Sequence, residues 1–227
     1  MLRINQKLLD MPVKTTAGDF SLHDYYKNYW GLMVCYVSDF SAVCTNELSR
    51  LAMIHNKLEK RGVKTMAMSC DSMDFHIKWT EDLKKLGEIK DDEDFPFPIV
   101  SDCNRMLSIY LSVLDQKCVD QDGIPVPCRA TFIFAPDLSI QLMHFYPQTT
   151  GRNIDELMRT IDALKLSFKS KERLLTPCDW KPTSTSVLLS EKLSKLEIDK
   201  FFPTSKLIIL PSGKEYYRCY EQVKKAT

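Results

Sequence analysis

Residues 30–70 read WGLMVCYVSDFSAVCTNELSRLAMIHNKLEKRGVKTMAMSC, and the order of patterns within them decides the fold. Residues 30–37 (WGLMVCYV) are a short, nearly continuous apolar run, as expected of a strand buried on both faces. A polar turn follows at Ser38, Asp39, Phe40 and Ser41. The next stretch has a helical period, with Leu48, Leu51, Ala52 and Leu58 on one face and Glu47, Arg50, Lys57 and Glu59 elsewhere. Residues 63–70 (VKTMAMSC) read as a second strand, after which Asp71 or Ser72 can cap a helix carrying Ile77, Trp79 and Leu83. Strand, helix, strand, helix is the rhythm of a parallel sheet with helical crossovers, an α/β fold.

Further along, residues 91–94 are acidic and read as a solvated loop leading through Phe95, Pro96, Phe97 and Pro98 to a short apolar segment at Ile99 and Val100. Residues 130–134 and 140–145 flank a Pro136–Asp137 turn and predict an antiparallel hairpin. Asn153 caps a strongly periodic helix with Ile154, Leu157, Met158, Ile161, Leu164 and Phe168 on one face, and Glu156 stands three residues after the cap, as in a capping box. Beyond Phe168 the texture changes to a charged connector (169–173) and a polar stretch (181–186). A short helix from Ser190 and a hairpin around Pro211, Ser212 and Gly213 are expected there. A tail of about 50 residues is small for a core of its own, so it is expected to pack on the first domain or on a partner subunit.

Composition narrows the classes of function. The 227 residues carry 31 Lys+Arg against 30 Asp+Glu, a formal charge of +1, without the basic excess of a nucleic-acid binder. No apolar run reaches the roughly 18 residues of a membrane helix, and residues 1–14 lack the apolar core of a signal peptide. The default expectation is a cytoplasmic protein. Its eight cysteines (Cys35, Cys44, Cys70, Cys103, Cys118, Cys128, Cys178 and Cys219) are scattered and form no C-x-x-C pair. That argues against a zinc site, a thioredoxin-type dithiol and a disulfide framework. They read as free thiols in a reducing compartment.

One of those thiols sits in a place suited to chemistry. The thiolate is the nucleophilic form of cysteine, and a free thiol ionises near about pH 8.5. Cys44 lies where the turn meets a helix start, so backbone N–H groups and the helix dipole favour negative charge on its sulfur. Ser41, three residues earlier, offers a hydroxyl on the same turn. A cation is also wanted, and spacing alone does not place one beside Cys44.

Residues 37–48 (VSDFSAVCTNEL) resemble the active-site segment of peroxiredoxins, P-x-x-x-[TS]-x-x-C followed by T-x-E-L. The resemblance continues through Asp71, Ser72, His76 and Trp79, then residues 129–137 (RATFIFAPD), Tyr146, Pro147 and residues 149–153 (TTGRN). In the tail, residues 176–180 (TPCDW) and 210–214 (LPSGK) resemble the C-terminal extension of the one-cysteine subgroup. Nearly the whole chain is covered in order. The resemblance implies a thioredoxin-like domain over residues 1–168 and a small α+β dimerisation extension over 169–227. It implies that Cys44 is the peroxidatic cysteine, that the Ser41 hydroxyl binds peroxide, and that the Arg129 guanidinium faces the sulfur. Glu47 and Arg152 match a supporting pair that positions Arg129 and the active-site helix. The implied reaction is reduction of a peroxide to water or alcohol, with Cys44 becoming a sulfenic acid that an external thiol, of the glutathione or thioredoxin kind, must reduce. A homodimer is implied, and no metal or organic cofactor.

The departures from the family pattern fall beside the cysteine. Val37 stands in place of the family's proline, and Tyr36 in place of the histidine usual before it. Proline shields the cysteine and narrows the pocket; valine keeps similar bulk but has an N–H and a freer φ, so a looser, slower pocket is expected. Residues 27–31 (KNYWG) match a lipase-like G-D-S-W-G segment of some animal members but lack its serine, so no phospholipase activity is expected. His76 is read as a polar helix position, Cys35 and Cys70 as core residues, and Cys118, Cys128 and His144 as having no metal spacing. No Val-Cys-Pro segment supplies a resolving cysteine, and the context of Cys219 (YYRCYEQ) does not match one. Two rivals remain at this level: a redox-sensing or chaperone-like protein with blunted turnover, and a general thiol–disulfide oxidoreductase, which the missing C-x-x-C disfavours.

Overall fold

The computed structural model describes residues 2–222, in two compact units that divide between Ile154 and Asp155. The first unit opens with a hairpin of β1 (Pro12–Thr15) and β2 (Gly18–Ser21). Gly18 takes φ +101° at its turn, a value that L side chains rarely adopt. A short helix, α1 (Leu22–Tyr26), follows, its first turn capped by the Ser21 hydroxyl. The apolar run then forms β3 (Trp30–Cys35), with all six residues buried. Two helices, α2 (Ala42–Met53) and α3 (His55–Glu59), cross over to β4 (Val63–Ser69), which is parallel to β3. Next, α4 (Met73–Leu86) returns to β5 (Ile99–Ser101), parallel to β4. After α5 (Met106–Leu111) comes a separate ribbon of β6 (Leu114–Val119) and β7 (Pro125–Pro127). The expected hairpin closes this unit as β8 (Arg129–Phe134) and β9 (Ile140–Tyr146).

These strands form one seven-stranded sheet in the order β2-β1-β5-β4-β3-β8-β9. A parallel core of β3 and β4 flanked by the antiparallel β8–β9 pair is a thioredoxin-like α/β arrangement. Because β8 runs antiparallel to β3, with Val34 opposite Thr131, the first residue of β8 and the last of β3 reach the same end of the sheet. That end carries the start of α2, and thus Cys44.

Several local expectations shift. The first strand stops at Cys35, although the Tyr36 N–H still reaches the Met68 carbonyl at 3.0 Å. Of the two candidate caps for α4, Ser72 is the one used, its side chain accepting from the Phe75 N–H. The buried face of α4 carries His76, Trp79 and Leu83, while Ile77 is exposed. A spacing of three then four residues fixes that face, and Ile77 lies one residue, about 100°, off it. The acidic residues Asp91, Asp92, Glu93 and Asp94 are exposed, as a solvated loop should be.

The second unit starts within α6 (Ile154–Lys169) and continues through β10 (Leu174–Leu175), β11 (Ser186–Leu189), α7 (Lys195–Phe201), β12 (Lys206–Leu207) and β13 (Arg218–Glu221). Its four-stranded sheet has the order β10-β11-β13-β12. The tail has a small core of its own after all, built from Ala163, Leu174, Trp180, Val187, Leu189 and Phe202. The reason is that α6 contributes Ala163 to it and belongs to this unit rather than ending the first. The tail helix starts four residues later than expected, at the Ser194–Glu197 capping box. The hairpin around residues 211–213 joins β12 to β13, with Gly213 at φ +70°. Among the described residues no helix is long and apolar enough to cross a membrane.

Candidate active site

Cys44 is the third residue of α2 and is fully buried. Ser41 stands before the helix with extended backbone (φ −99°, ψ 136°), the conformation of an N-cap, yet its hydroxyl makes no capping bond. Instead Ser41 Oγ donates to the Ser38 carbonyl at 3.1 Å. Its carbonyl accepts both the Thr45 N–H at 2.9 Å and the Thr45 hydroxyl at 2.8 Å. Trp79 Nε1 in turn donates to Thr45 Oγ1 at 3.1 Å, so the first turn of α2 is fixed from α4. Among the described residues no hydrogen bond joins the Ser41 hydroxyl to the sulfur.

The missing cation comes from β8, the strand paired with β3. Arg129, the first residue of β8, is 2% exposed, and its Nη1 lies 3.1 Å from Cys44 Sγ and 3.0 Å from Glu47 Oε2. Its Nε donates to the Gln148 carbonyl at 2.9 Å. Cys44 and Glu47 are three residues apart on one helix, hence on one face, and a single guanidinium spans both. Eighty-five positions separate Arg129 from Cys44 in the chain; the antiparallel pairing of β3 with β8 is what closes that distance.

Arg152 completes the cluster. Its Nη1 meets Glu47 Oε2 at 2.7 Å and its own N–H meets Glu47 Oε1 at 2.6 Å. The remaining donors reach Thr131 Oγ1 (2.8 Å), the Ala130 carbonyl (2.8 Å) and the Cys35 carbonyl. One side chain thus ties β3, β8 and α2 together. Burial pushes its ionisation downward, and the Glu47 carboxylate works against that. Charge balance follows from this inventory. Two buried guanidinium groups face one buried carboxylate, leaving one positive charge unmatched. A thiolate on Cys44 matches it.

The other buried or half-buried thiols stand in different surroundings. Burial drives the Cys35 thiol strongly up and Cys70 up to about 11. Burial also raises Cys118 and Cys128. These are conditions that keep a thiol protonated and inert. Among the described residues no cluster of three or more His, Cys, Asp or Glu side chains could hold a metal ion.

Of the residues expected at this site, Cys44, Glu47, Arg129 and Arg152 converge by direct contact, and Ser41 begins their helix. Val37, 5% exposed, lies in the turn before it, and no hydrogen bond from its N–H is found among the described residues. His76 is not the polar surface position expected. It is fully buried and bonded to Asp39, which in turn accepts from Tyr36. Sequence reasoning missed Asp39 and His76 as partners. The signal that could have found them was a histidine at the helical spacing of Trp79 and Leu83.

A model of the AhpC/TSA family matches residues 4–143. The chain is 39% identical over 218 residues to Peroxiredoxin-6 of Bos taurus, covering 96% of each. It superposes with a TM-score of 0.93, at 35% identity, on the crystal structure of a cysteine-to-serine mutant of the peroxiredoxin 6 of Arenicola marina, covering 99% of this chain and 100% of that one. A yeast mitochondrial one-cysteine peroxiredoxin, whose structure concerns thiol resolution through glutathione and thioredoxin systems, superposes with a TM-score of 0.85 at 29% identity. That match covers 98% of this chain and 100% of the yeast chain.

Proposed function

The chain belongs to the AhpC/TSA family, and from that membership we propose how its residues divide the work of a thiol-dependent peroxidase. The protein is a peroxiredoxin, an oxidoreductase that reduces peroxides. Cys44 is the nucleophile. Its thiolate attacks one peroxide oxygen, the O–O bond breaks, and the departing oxygen takes a proton to leave as water or alcohol while the sulfur becomes a sulfenic acid.

The observation that carries this reading is the contact of Arg129 Nη1 with Cys44 Sγ at 3.1 Å, inside a cluster whose charges balance only with the thiolate. A fixed guanidinium with no need to reorganise is worth most where charge moves, here from sulfur to the departing oxygen. Glu47 and Arg152 hold Arg129 and α2 in place. Because the Ser41 proton is committed to the Ser38 carbonyl, the Ser41 oxygen is left as an acceptor, suited to the O–H of an incoming peroxide. Val37 covers the turn in place of a proline.

An external thiol, glutathione or a thioredoxin-like protein, completes the cycle. It condenses with the sulfenic acid to a mixed disulfide and water, and a second thiol then restores Cys44. Thiol resolution of the yeast one-cysteine relative through glutathione and thioredoxin systems supports that choice. So does the suppressed ionisation of Cys35, Cys70, Cys118 and Cys128, whose pKa values burial raises, leaving none of them suited to attack. Residues 169–227 serve as a dimerisation extension of a homodimer. A cytoplasmic location fits eight cysteines that are all free. Stopped-flow oxidation by hydrogen peroxide, with wild type beside Cys44→Ser, tests the assignment: a variant that still reduces peroxide at the wild-type rate would overturn it.

A further inference from the structure

Tyr36 belongs to a buried cluster that the chemistry above leaves unused. Its hydroxyl donates to Asp39 Oδ1 at 2.8 Å, while Asp39 Oδ2 meets His76 Nδ1 at 2.7 Å and His76 Nε2 lies 3.2 Å from the Val100 carbonyl. Tyr36 and His76 are fully buried and Asp39 is 8% exposed. The Asp39 N–H is held by Asp71 Oδ2 at 3.0 Å, and that oxygen also accepts from the Ser69 hydroxyl at 2.6 Å. The turn between β3 and α2 is therefore anchored to the end of β4, to α4 and to β5. At its centre Phe40 has φ +53°, a left-handed conformation that a bulky residue keeps only when its surroundings hold it there.

The two ring nitrogens of His76 are both engaged, Nδ1 with the Asp39 carboxyl and Nε2 with the Val100 carbonyl, so the ring is held at both ends. Burial raises the Asp39 carboxyl against the pull of His76. The ionisable groups facing the pair are Tyr36 from the end of β3 and Asp71 from the end of β4.

We propose that the Tyr36–Asp39–His76 brace is a positioning device for the reactive turn: it sets residues 38–41 so that α2 begins after Ser41 with Cys44 facing Arg129. The part concerning catalysis rests on the reading of Cys44 as the peroxidatic residue. In this chain a tyrosine fills the family's histidine position because its longer reach places a hydroxyl on Asp39.

Two measurements on the full-length protein test this: the rate of Cys44 oxidation by hydrogen peroxide near neutral pH, and amide hydrogen exchange across residues 36–45, which is independent of any reaction at the sulfur. Tyr36→Phe keeps the ring and removes one hydrogen bond. It should slow oxidation about tenfold and speed exchange in the turn. Asp39→Ala should do both more strongly. Asp39→Asn should recover most of the rate lost in Asp39→Ala, because the amide can still bond His76 Nδ1 and accept from Tyr36. The brace is refuted by unchanged rate and exchange in Tyr36→Phe, or by an Asp39→Asn variant that reacts no faster than Asp39→Ala. Should wild type fail to react with peroxide at all, the peroxidase reading falls, while the exchange data still decide whether the brace holds the turn.

Discussion

Replacing Arg129 by methionine removes the guanidinium while keeping a chain of similar length in a buried position. At the observed 3.1 Å, a full charge pair attracts by about 5 kcal/mol for an effective dielectric constant of about 20. Only part of that is lost. Arg152 remains against Glu47, and the transition state carries some of its charge on the departing oxygen. Loss of a single preorganised donor of this kind typically costs about 3 kcal/mol, or roughly a hundredfold in rate. The fold should survive, because Glu47 keeps two bonds to Arg152. The charge balance, however, reverses: one guanidinium then meets one carboxylate, and the thiol rather than the thiolate completes a neutral cluster. Stopped-flow oxidation by hydrogen peroxide should therefore show a rate constant down about a hundredfold near neutral pH. A rate constant within about threefold of wild type across the pH range would refute the role given to Arg129, provided thermal melting shows the variant folded.

Excess peroxide should add oxygen to Cys44 as sulfinic or sulfonic acid, seen by intact mass, whereas a dominant internal Cys44–Cys219 disulfide formed during turnover would remove the one-cysteine assignment. Glu47→Ala strands two buried guanidinium groups and should cost about 4 kcal/mol of stability, read as a melting temperature lower by about 10 °C; an unchanged melt contradicts the cluster's structural role. Burial raises the Asp137 carboxyl, but hydrogen bonds from Lys7 and Ser139 outweigh it and hold the group at about 2. That contribution is present above the ordinary carboxylate range and fades as pH falls through about 2, so Asp137→Asn should narrow the gap between neutral and acid stability. The effect should be only about half a kcal/mol, because the pair is exposed, and a larger acid-unfolding shift would mean the pair is not screened. Val37→Pro should fold and react with peroxide at least as fast as wild type, and a folded variant that reacts more slowly would mark Val37 as part of a specialised pocket.

The parts of the fold that could be read from the sequence are those dictated by neighbours along the chain. The run of residues 30–35 is apolar throughout because β3 is covered on both faces, and the turn at Ser38 to Ser41 announces α2 by its polarity. The β8–β9 hairpin is marked by the Pro136–Asp137 turn. What spacing could not supply is any pairing across elements. Arg129 reaches Cys44 only through the register of β8 on β3, so its role came from resemblance alone. His76 was misplaced because hydrophobicity singled out Ile77, although the helical period of Trp79 and Leu83 buries position 76. The Ser41 hydroxyl was expected to offer itself to a bound peroxide; its donation to the Ser38 carbonyl, three residues back on the same turn, is a local bond that spacing did not single out. The boundary near Phe168 followed the change in composition, while the structure groups α6 with the tail because one helix can serve the core that follows it.

By the sequence resemblance, Tyr36 and Val37 are departures and Cys44, Glu47, Arg129 and Arg152 are matches, and the structure holds these two groups by separate sets of bonds. The charged cluster is secured from the sheet: five hydrogen bonds from Arg152 grip Glu47, Thr131 and the carbonyls of Cys35 and Ala130. None of those bonds passes through the turn. The turn is secured from the opposite side, through Asp39 to His76 and Asp71 and through Thr45 to Trp79. A proline in the family's position stiffens the turn locally by fixing φ. Here the same stiffness can come from side-chain bonds, so the proline ring is dispensable wherever Asp39 is fully satisfied. The two devices are then alternatives. Val37→Pro should rescue part of the rate lost in Tyr36→Phe, and a double variant no faster than Tyr36→Phe alone would show that the proline and the buried brace serve different ends.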